Sequence, residues 1–152
     1  MALPSVFEKP VVDGIVSRLD NLHPDSQPLW GKMNVAQMLA HCNVTYEMMY
    51  TTKHPKPGFF MRLMLKAFVK TAVTNEKGYP HNSRTAPAFL ISDPRDFEAE
   101  KKRLVEYLHQ TQVHGRSYFE GKESNSFGPL NAEEWNNLMY KHLDHHLTQF
   151  GV

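Results

Sequence analysis

The closing stretch NAEEWNNLMYKHLDHHLTQFGV, residues 131–152, constrains the fold more than any other part of the chain. Asn131 followed by Glu134 spells a capping box, in which each side chain satisfies a backbone N–H at a helix start. Gly151 suits the position just past a helix end, where a left-handed residue closes the last turn. Between these signals one helix is expected from Ala132 to about Phe150. Its apolar residues, Trp135, Leu138, Met139, Leu143 and Phe150, share one arc of the helical wheel. Such a helix is stable in water only when that face is covered by other elements.

Three further segments supply the cover. Phe7, Val11, Ile15 and Leu19 recur every fourth residue and predict a first helix over roughly Pro4–Leu22. Pro10 and Gly14 lie inside it, which calls for a kink or a late start. HPDSQPLWGKMN, residues 23–34, is a loop dense in turn formers. Asn34 then caps a second helix that runs through Tyr50. A very apolar segment follows from Phe59 to Val73, beginning FFMRLMLKAFV, and predicts a short extra helix packed on the rest. Residues 75–92 form a long connection rich in Pro, Asn and Ser, and long loops of this kind are often functional. A third long helix is expected from near Asp93, with Pro94 in its first turn, to near Gly115. Another loop leads to Asn131, and no strand pattern stands out. Four long helices argue for an all-α, antiparallel four-helix bundle with an extra short apolar helix between the second and third, in one domain spanning 1–152.

Composition removes several function classes. With 17 Lys and Arg against 16 Asp and Glu, the chain has no charge footprint for nucleic acid. No apolar run reaches the ~18 residues that a membrane span requires. A single cysteine, Cys42, permits no internal disulfide and suits a reducing cytosol. MALPSVFEKP lacks the basic-then-apolar layout of a signal peptide, so a cytoplasmic protein is expected. The nine histidines are the unusual count.

Three of those nine crowd the last helix, as His142, His145 and His146. Chance alone gives about half an i, i+4 histidine pair at this composition, so spacing by itself is weak. Orientation carries more. With about 100° per residue and His142 at 0°, Trp135 falls at about +20°, Met139 at about +60° and Leu143 at about +100°. His146, at about +40°, lies within that apolar arc, while His145 at about −60° points away toward the rim. On the second helix, Met38, Cys42 and Met49 lie about +60° to +100° from His41, which therefore borders a buried stripe. His41, His142 and His146 are thus a candidate three-nitrogen metal site. Three protein ligands leave a fourth position open, the pattern of catalytic metal centres. The competing reading is that these are hydrogen-bonded core or cleft histidines.

The neighbours have plainer readings. Asp144, about 200° from His142, faces solvent. Gln149 is on the site's own face and reads as a helix-end polar residue, with a supporting hydrogen bond to the site as the alternative. Cys42 is a buried structural thiol. His81, in its loop, is a surface residue unless the loop brings it to the pocket mouth. Arg62, Lys66 and Lys70 flank the apolar segment, which reads first as a core or dimer contact with snorkelling basic stems. A membrane-surface helix is the alternative.

Specific motifs extend this reading. WGKMNVAQMLAHC at 30–42, TAPAF at 85–89, DPRDFEAE at 93–100 and the closing KHLDHHLTQFGV together resemble the DinB/YfiT-like superfamily. The resemblance runs from about Leu22 to Val152 and is nearest to one of its small branches, a domain of unknown function. It implies a four-helix bundle with a divalent metal on one histidine of the second helix and two on the last. Carried onto this chain, those are His41, His142 and His146. Other branches of that superfamily include thiol-dependent S-transferases using bacillithiol or mycothiol, isomerases and hydrolases. This branch brings no reaction and names no catalytic residue. The expectation is a divalent-metal-dependent enzyme, with Zn2+ or Ni2+ and a low-molecular-weight thiol as candidate cofactors, acting on a small molecule as a homodimer. The alternative is a non-catalytic metal-binding or stress-response module.

Overall fold

A computed structural model describes the whole chain, Met1–Val152. It is mostly helical, with six α-helices and a small two-stranded sheet. The order is α1 (Lys9–Asp20), α2 (Val35–Tyr50), α3 (Phe59–Phe68), α4 (Lys70–Thr74), a 3-10 turn at Pro87–Phe89, α5 (Phe97–Phe119), β1 (Lys122–Ser124), β2 (Gly128–Leu130) and α6 (Ala132–Gln149). No helix is long and apolar enough to cross a membrane.

The predicted capping box of α6 forms, and the predicted Asn34 cap of α2 is part of a second one. Asn34 and Gln37 cap α2 reciprocally, and Asn131 and Glu134 do the same for α6. Gly151 follows α6 with φ +77°, the left-handed conformation expected there. Two starts differ from expectation. Helix α1 begins at Lys9 because the preceding residues are tied to α6: Val6 N donates to Asn136 Oδ1 and Asn136 Nδ2 donates to the Pro4 carbonyl. Pro10 consequently falls in the first turn, where its missing N–H is harmless. Helix α5 begins at Phe97 because Asp96, rather than Asp93, caps it through a 2.7 Å bond from Ala99 N. The helix runs on past Gly115, which kinks it at φ +70°, and resumes to Phe119.

The stretch expected to be loop after α5 holds an antiparallel hairpin pairing Lys122 with Leu130 and Ser124 with Gly128. The Ser124 hydroxyl closes its turn by accepting from Phe127 N and donating to the Gly128 carbonyl. Three-residue strands are too short to show alternation in the sequence, which is why no strand was expected.

Helices α1, α2, α5 and α6 pack around one apolar core, with α4 against α6. Ile15 and Leu19 meet Met38, Leu39, Leu104, Leu108, Met139, Leu143 and Leu147 there, all essentially buried. Each such side chain contributes about 1.5–3 kcal/mol relative to exposure. The α4 end is pinned to α6 by Asn137 Nδ2 donating to the Thr74 carbonyl and by Lys141 Nζ donating to the Ala72 carbonyl. Lys141 Nζ also lies 4.6 Å from the Tyr79 ring centre, and burial pushes the ammonium down to about 8.

Helix α3 overturns its core reading. None of its residues is buried, and its main packing partner is the short α4.

Candidate metal centre

Helix α2 places His41 in its second turn, and α6 places His142 and His146 one turn apart on its inward face. The three imidazoles meet, with one nitrogen from each lying within 4.8 Å of the others. His41 Nε2 and His142 Nε2 are only 2.9 Å apart. His41 and His146 are buried, at 5% and 8% exposure, and His142 is partly so. No carboxylate belongs to the cluster.

Each ring is tied at its other nitrogen. His41 Nδ1 lies 2.8 Å from the carbonyl oxygen of Phe89. A carbonyl only accepts, so His41 carries its proton on Nδ1 and leaves the Nε2 lone pair free. His146 Nδ1 lies 2.8 Å from Gln149 Oε1. The Gln149 amide is oriented by a 2.7 Å bond from its Nε2 to the Trp30 carbonyl, so Oε1 must face His146 and accept. His146 is therefore also protonated on Nδ1, with Nε2 free. His142 Nδ1 lies 3.2 Å from Thr45 Oγ1, a hydroxyl that can donate or accept.

This arrangement could hold a metal ion. Two lone pairs facing each other at 2.9 Å repel, so His142 either donates an Nε2–H to His41 as a neutral ring or shares a metal ion with it. Thr45 accommodates both cases, donating to Nδ1 in the first and accepting from it in the second. Tetrahedral Zn2+ with Zn–N bonds of about 2.0–2.1 Å places its nitrogens roughly 3.3 Å apart, inside the span seen here. Holding the far nitrogen of each ligand by a carbonyl, amide or hydroxyl is how metal histidines are oriented.

Electrostatics keep the set neutral. Burial, followed by the neighbouring His41, pushes the His146 imidazole down to about 3. Burial also holds His142 well below the usual histidine range, with His146 and His41 adding to it. His41 is lowered by burial, partly offset by its bond to Phe89. Neutral imidazoles are the form that binds metal.

The surroundings sort the remaining candidates. Gln149 is buried and bridges the site to the Trp30 loop, so its helix-end reading gives way to the supporting one. His145 stands off the cluster, edge-on to Trp30 at 5.6 Å and to His146 at 5.0 Å between ring centres. His81 is exposed and stacks on Trp30 at 3.7 Å. Both line a groove of about 290 Å³ with Tyr79, Lys141 and Asp144, a groove whose walls do not include His41, His142 or His146. Asp144 pairs with Arg18 at 2.8 Å, away from the cluster. Cys42 is buried 3.8 Å from Met38 Sδ, and burial pushes its thiol up, as expected of a structural residue. The Phe89 ring closes the other side, edge-on to His41 and His142 at 5.4 and 5.7 Å.

Three contributors were missed in the sequence: Thr45, Phe89 and the Trp30–Gly31 pair. Thr45 lies one turn after His41, a spacing that could have flagged it. Phe89 and Trp30 act through backbone carbonyls, which carry no residue signature.

The chain is thus a mostly helical protein with a clustered histidine trio on two facing helices. The family model described as "Protein of unknown function (DUF1569)" matches residues 8–151, and the chain belongs to that family. No curated protein and no solved structure matches it.

Proposed function

We propose that this protein is a divalent-metal-dependent enzyme acting on a small molecule at His41, His142 and His146. The observation that carries the reading is the shared orientation of the trio: His41 and His146 are each fixed on Nδ1 with a free Nε2, and His142 is held at Nδ1 by Thr45. What a bound divalent ion supplies at such a site is Lewis acidity, which brings a coordinated thiol or water toward ionisation near neutral pH. The chain's own residues do the rest. Phe89 O, Gln149 and Thr45 hold the rings, and burial keeps the rings neutral while the Phe89 ring limits access by water. S-transfer from a low-molecular-weight thiol, or hydrolysis, is the reaction class we assign. Zn2+ or Ni2+ suits an all-imidazole donor set.

The same reading places the chain in the DinB/YfiT-like superfamily as a four-helix bundle formed by α1, α2, α5 and α6. Its support is one histidine on the second long helix and an HxxxH pair on the last, on elements that share one core.

One observation favours a second reading, a metal-binding module without turnover. Phe89 covers the trio, and the 290 Å³ groove passes beside it rather than into it. Protein purified without a histidine tag separates these readings by metal analysis and turnover. About one divalent ion per chain, absent from a His142→Ala, His146→Ala variant, with thiol-dependent turnover that a chelator abolishes, supports the enzyme. A bound ion with no turnover over a panel of thiols and electrophiles supports the module. Metal content unaffected by the double substitution refutes both.

A further inference from the structure

Helix α3 leaves its apolar side to solvent. Phe59, Phe60 and Phe68 are 75%, 80% and 79% exposed, and Met61, Leu63 and Met64 are more than half exposed. At about 100° per residue from Phe59, the sequence Leu63, Ala67, Phe60, Met64, Phe68, Met61 fills an arc of about 200° without a charge. Lys66 lies on one margin of that arc, with Arg62 beyond it. A continuous apolar face of this kind on a soluble fold marks an interaction surface.

Charge says what covers it. Residues 51–73 hold five of the chain's 17 Lys and Arg and no Asp or Glu, while the rest of the chain carries 12 against 16. Lys53, Arg62 and Lys70 are tied inward to Glu47, Glu123 and Glu134. Lys56, in the loop before α3, and Lys66, at the edge of the apolar arc, stand outside every ion pair. Beside them a cleft of about 190 Å³ is lined by Phe59, Arg62, Leu63, Lys66, Phe127 and Gly128, joining cationic groups to an apolar wall. A second copy of the chain packed antiparallel through this face would set basic margin against basic margin. A folded partner would need a groove wrapping about 200° of a projecting helix, whereas a fluid lipid surface adapts to it without one.

We propose that α3 is a peripheral membrane anchor that lies in the interface of a bilayer rich in anionic phospholipid. Its phenylalanines and methionines enter the acyl boundary, and Lys66, on the margin of the apolar arc, meets headgroup phosphate. This reading is independent of the metal centre, to which α3 contributes no residue.

The test is co-sedimentation of the full chain with vesicles of phosphatidylcholine alone and of phosphatidylcholine mixed with phosphatidylglycerol. Binding to the anionic vesicles, weakened by salt, is expected. Lys66→Ala should weaken it about fivefold. A Phe60→Asp, Phe68→Asp variant should weaken it on the order of a hundredfold, and circular dichroism should show its helix content unchanged, because neither side chain joins the core. Absence of binding to either vesicle, or equal binding to both, overturns the proposal. So does a concentration-dependent dimer in solution that the double phenylalanine variant dissolves, which would assign the face to a second copy.

Discussion

Gln149 accepts the Nδ1 proton of His146 at 2.8 Å, and the same amide donates to the Trp30 carbonyl at 2.7 Å. The imidazole at the end of α6 is thereby referenced to a loop more than a hundred residues earlier. Replacing Gln149 with Leu removes that reference while keeping helix propensity. The expected result is a 10–100-fold loss of metal affinity, the usual cost of deleting a ligand's orienting partner. Equilibrium dialysis against Zn2+ measures it, and unchanged affinity would remove Gln149 from the site.

Gly31 makes that bridge sterically possible. A Cβ there would lie 2.6 Å from Gln149 Nε2, and the residue's φ of +85° is one that other residues adopt with strain. Gly31→Ala should therefore destabilise the fold by about 1–3 kcal/mol and lower metal affinity together. Urea unfolding and dialysis on one preparation test both. A stability loss without an affinity loss would separate the loop from the metal centre.

The trio makes stability depend on pH in a definite direction. Burial, then His41, holds His146 at about 3, against an ordinary value of 6.5. Between those values the unfolded chain binds a proton that the folded chain does not. Stability of the metal-free protein is therefore level above about pH 6.5 and falls as pH drops below it, by about 1.4 kcal/mol per unit from His146 alone. His41 and His142 are lowered too and act in the same direction. Chemical denaturation across that range, with chelator present, should show the slope, and His146→Gln should reduce it. A flat profile would mean that the rings are not buried in neutral form.

A buried carboxylate elsewhere serves as the contrast. Glu47, 2% exposed, takes bonds from Arg103 at 3.0 Å and His54 at 2.7 Å and pairs with Lys53 at 3.1 Å. Burial works against its charge, but these three partners together hold its carboxyl below the usual range. Glu47→Gln leaves Arg103 and Lys53 undercompensated and should cost about 1–3 kcal/mol of stability without changing metal content. Thermal unfolding alongside metal analysis checks it, and a loss of metal would extend the site along α2.

The trio was legible because each of its members obeys the periodicity of one helix. The wheel that put Trp135, Met139 and Leu143 inside put His142 and His146 with them. What the wheel could not supply is the support behind the rings, since the Phe89 carbonyl holds His41 across 48 residues of chain and the Trp30 carbonyl holds Gln149, the partner of His146, across 119. Helix starts shifted where a nearby alternative cap existed, as with Asp96 over Asp93, because either aspartate satisfies the local pattern. The β1–β2 hairpin left no trace in period, being three residues a side. The apolar composition of α3 suggested core where the fold leaves it uncovered, since composition alone does not say which apolar faces the fold covers.

His41, His142 and His146 are proposed to hold one divalent ion together through nitrogen. X-ray absorption at the zinc edge of Zn2+-loaded protein reads that ligand shell directly. A shell of nitrogen and oxygen donors with three imidazoles at about 2.0–2.1 Å is expected, falling to fewer in His41→Ala. Sulfur from Cys42 in the shell, fewer than three imidazoles in the unaltered protein, or no stoichiometric binding of zinc would contradict it.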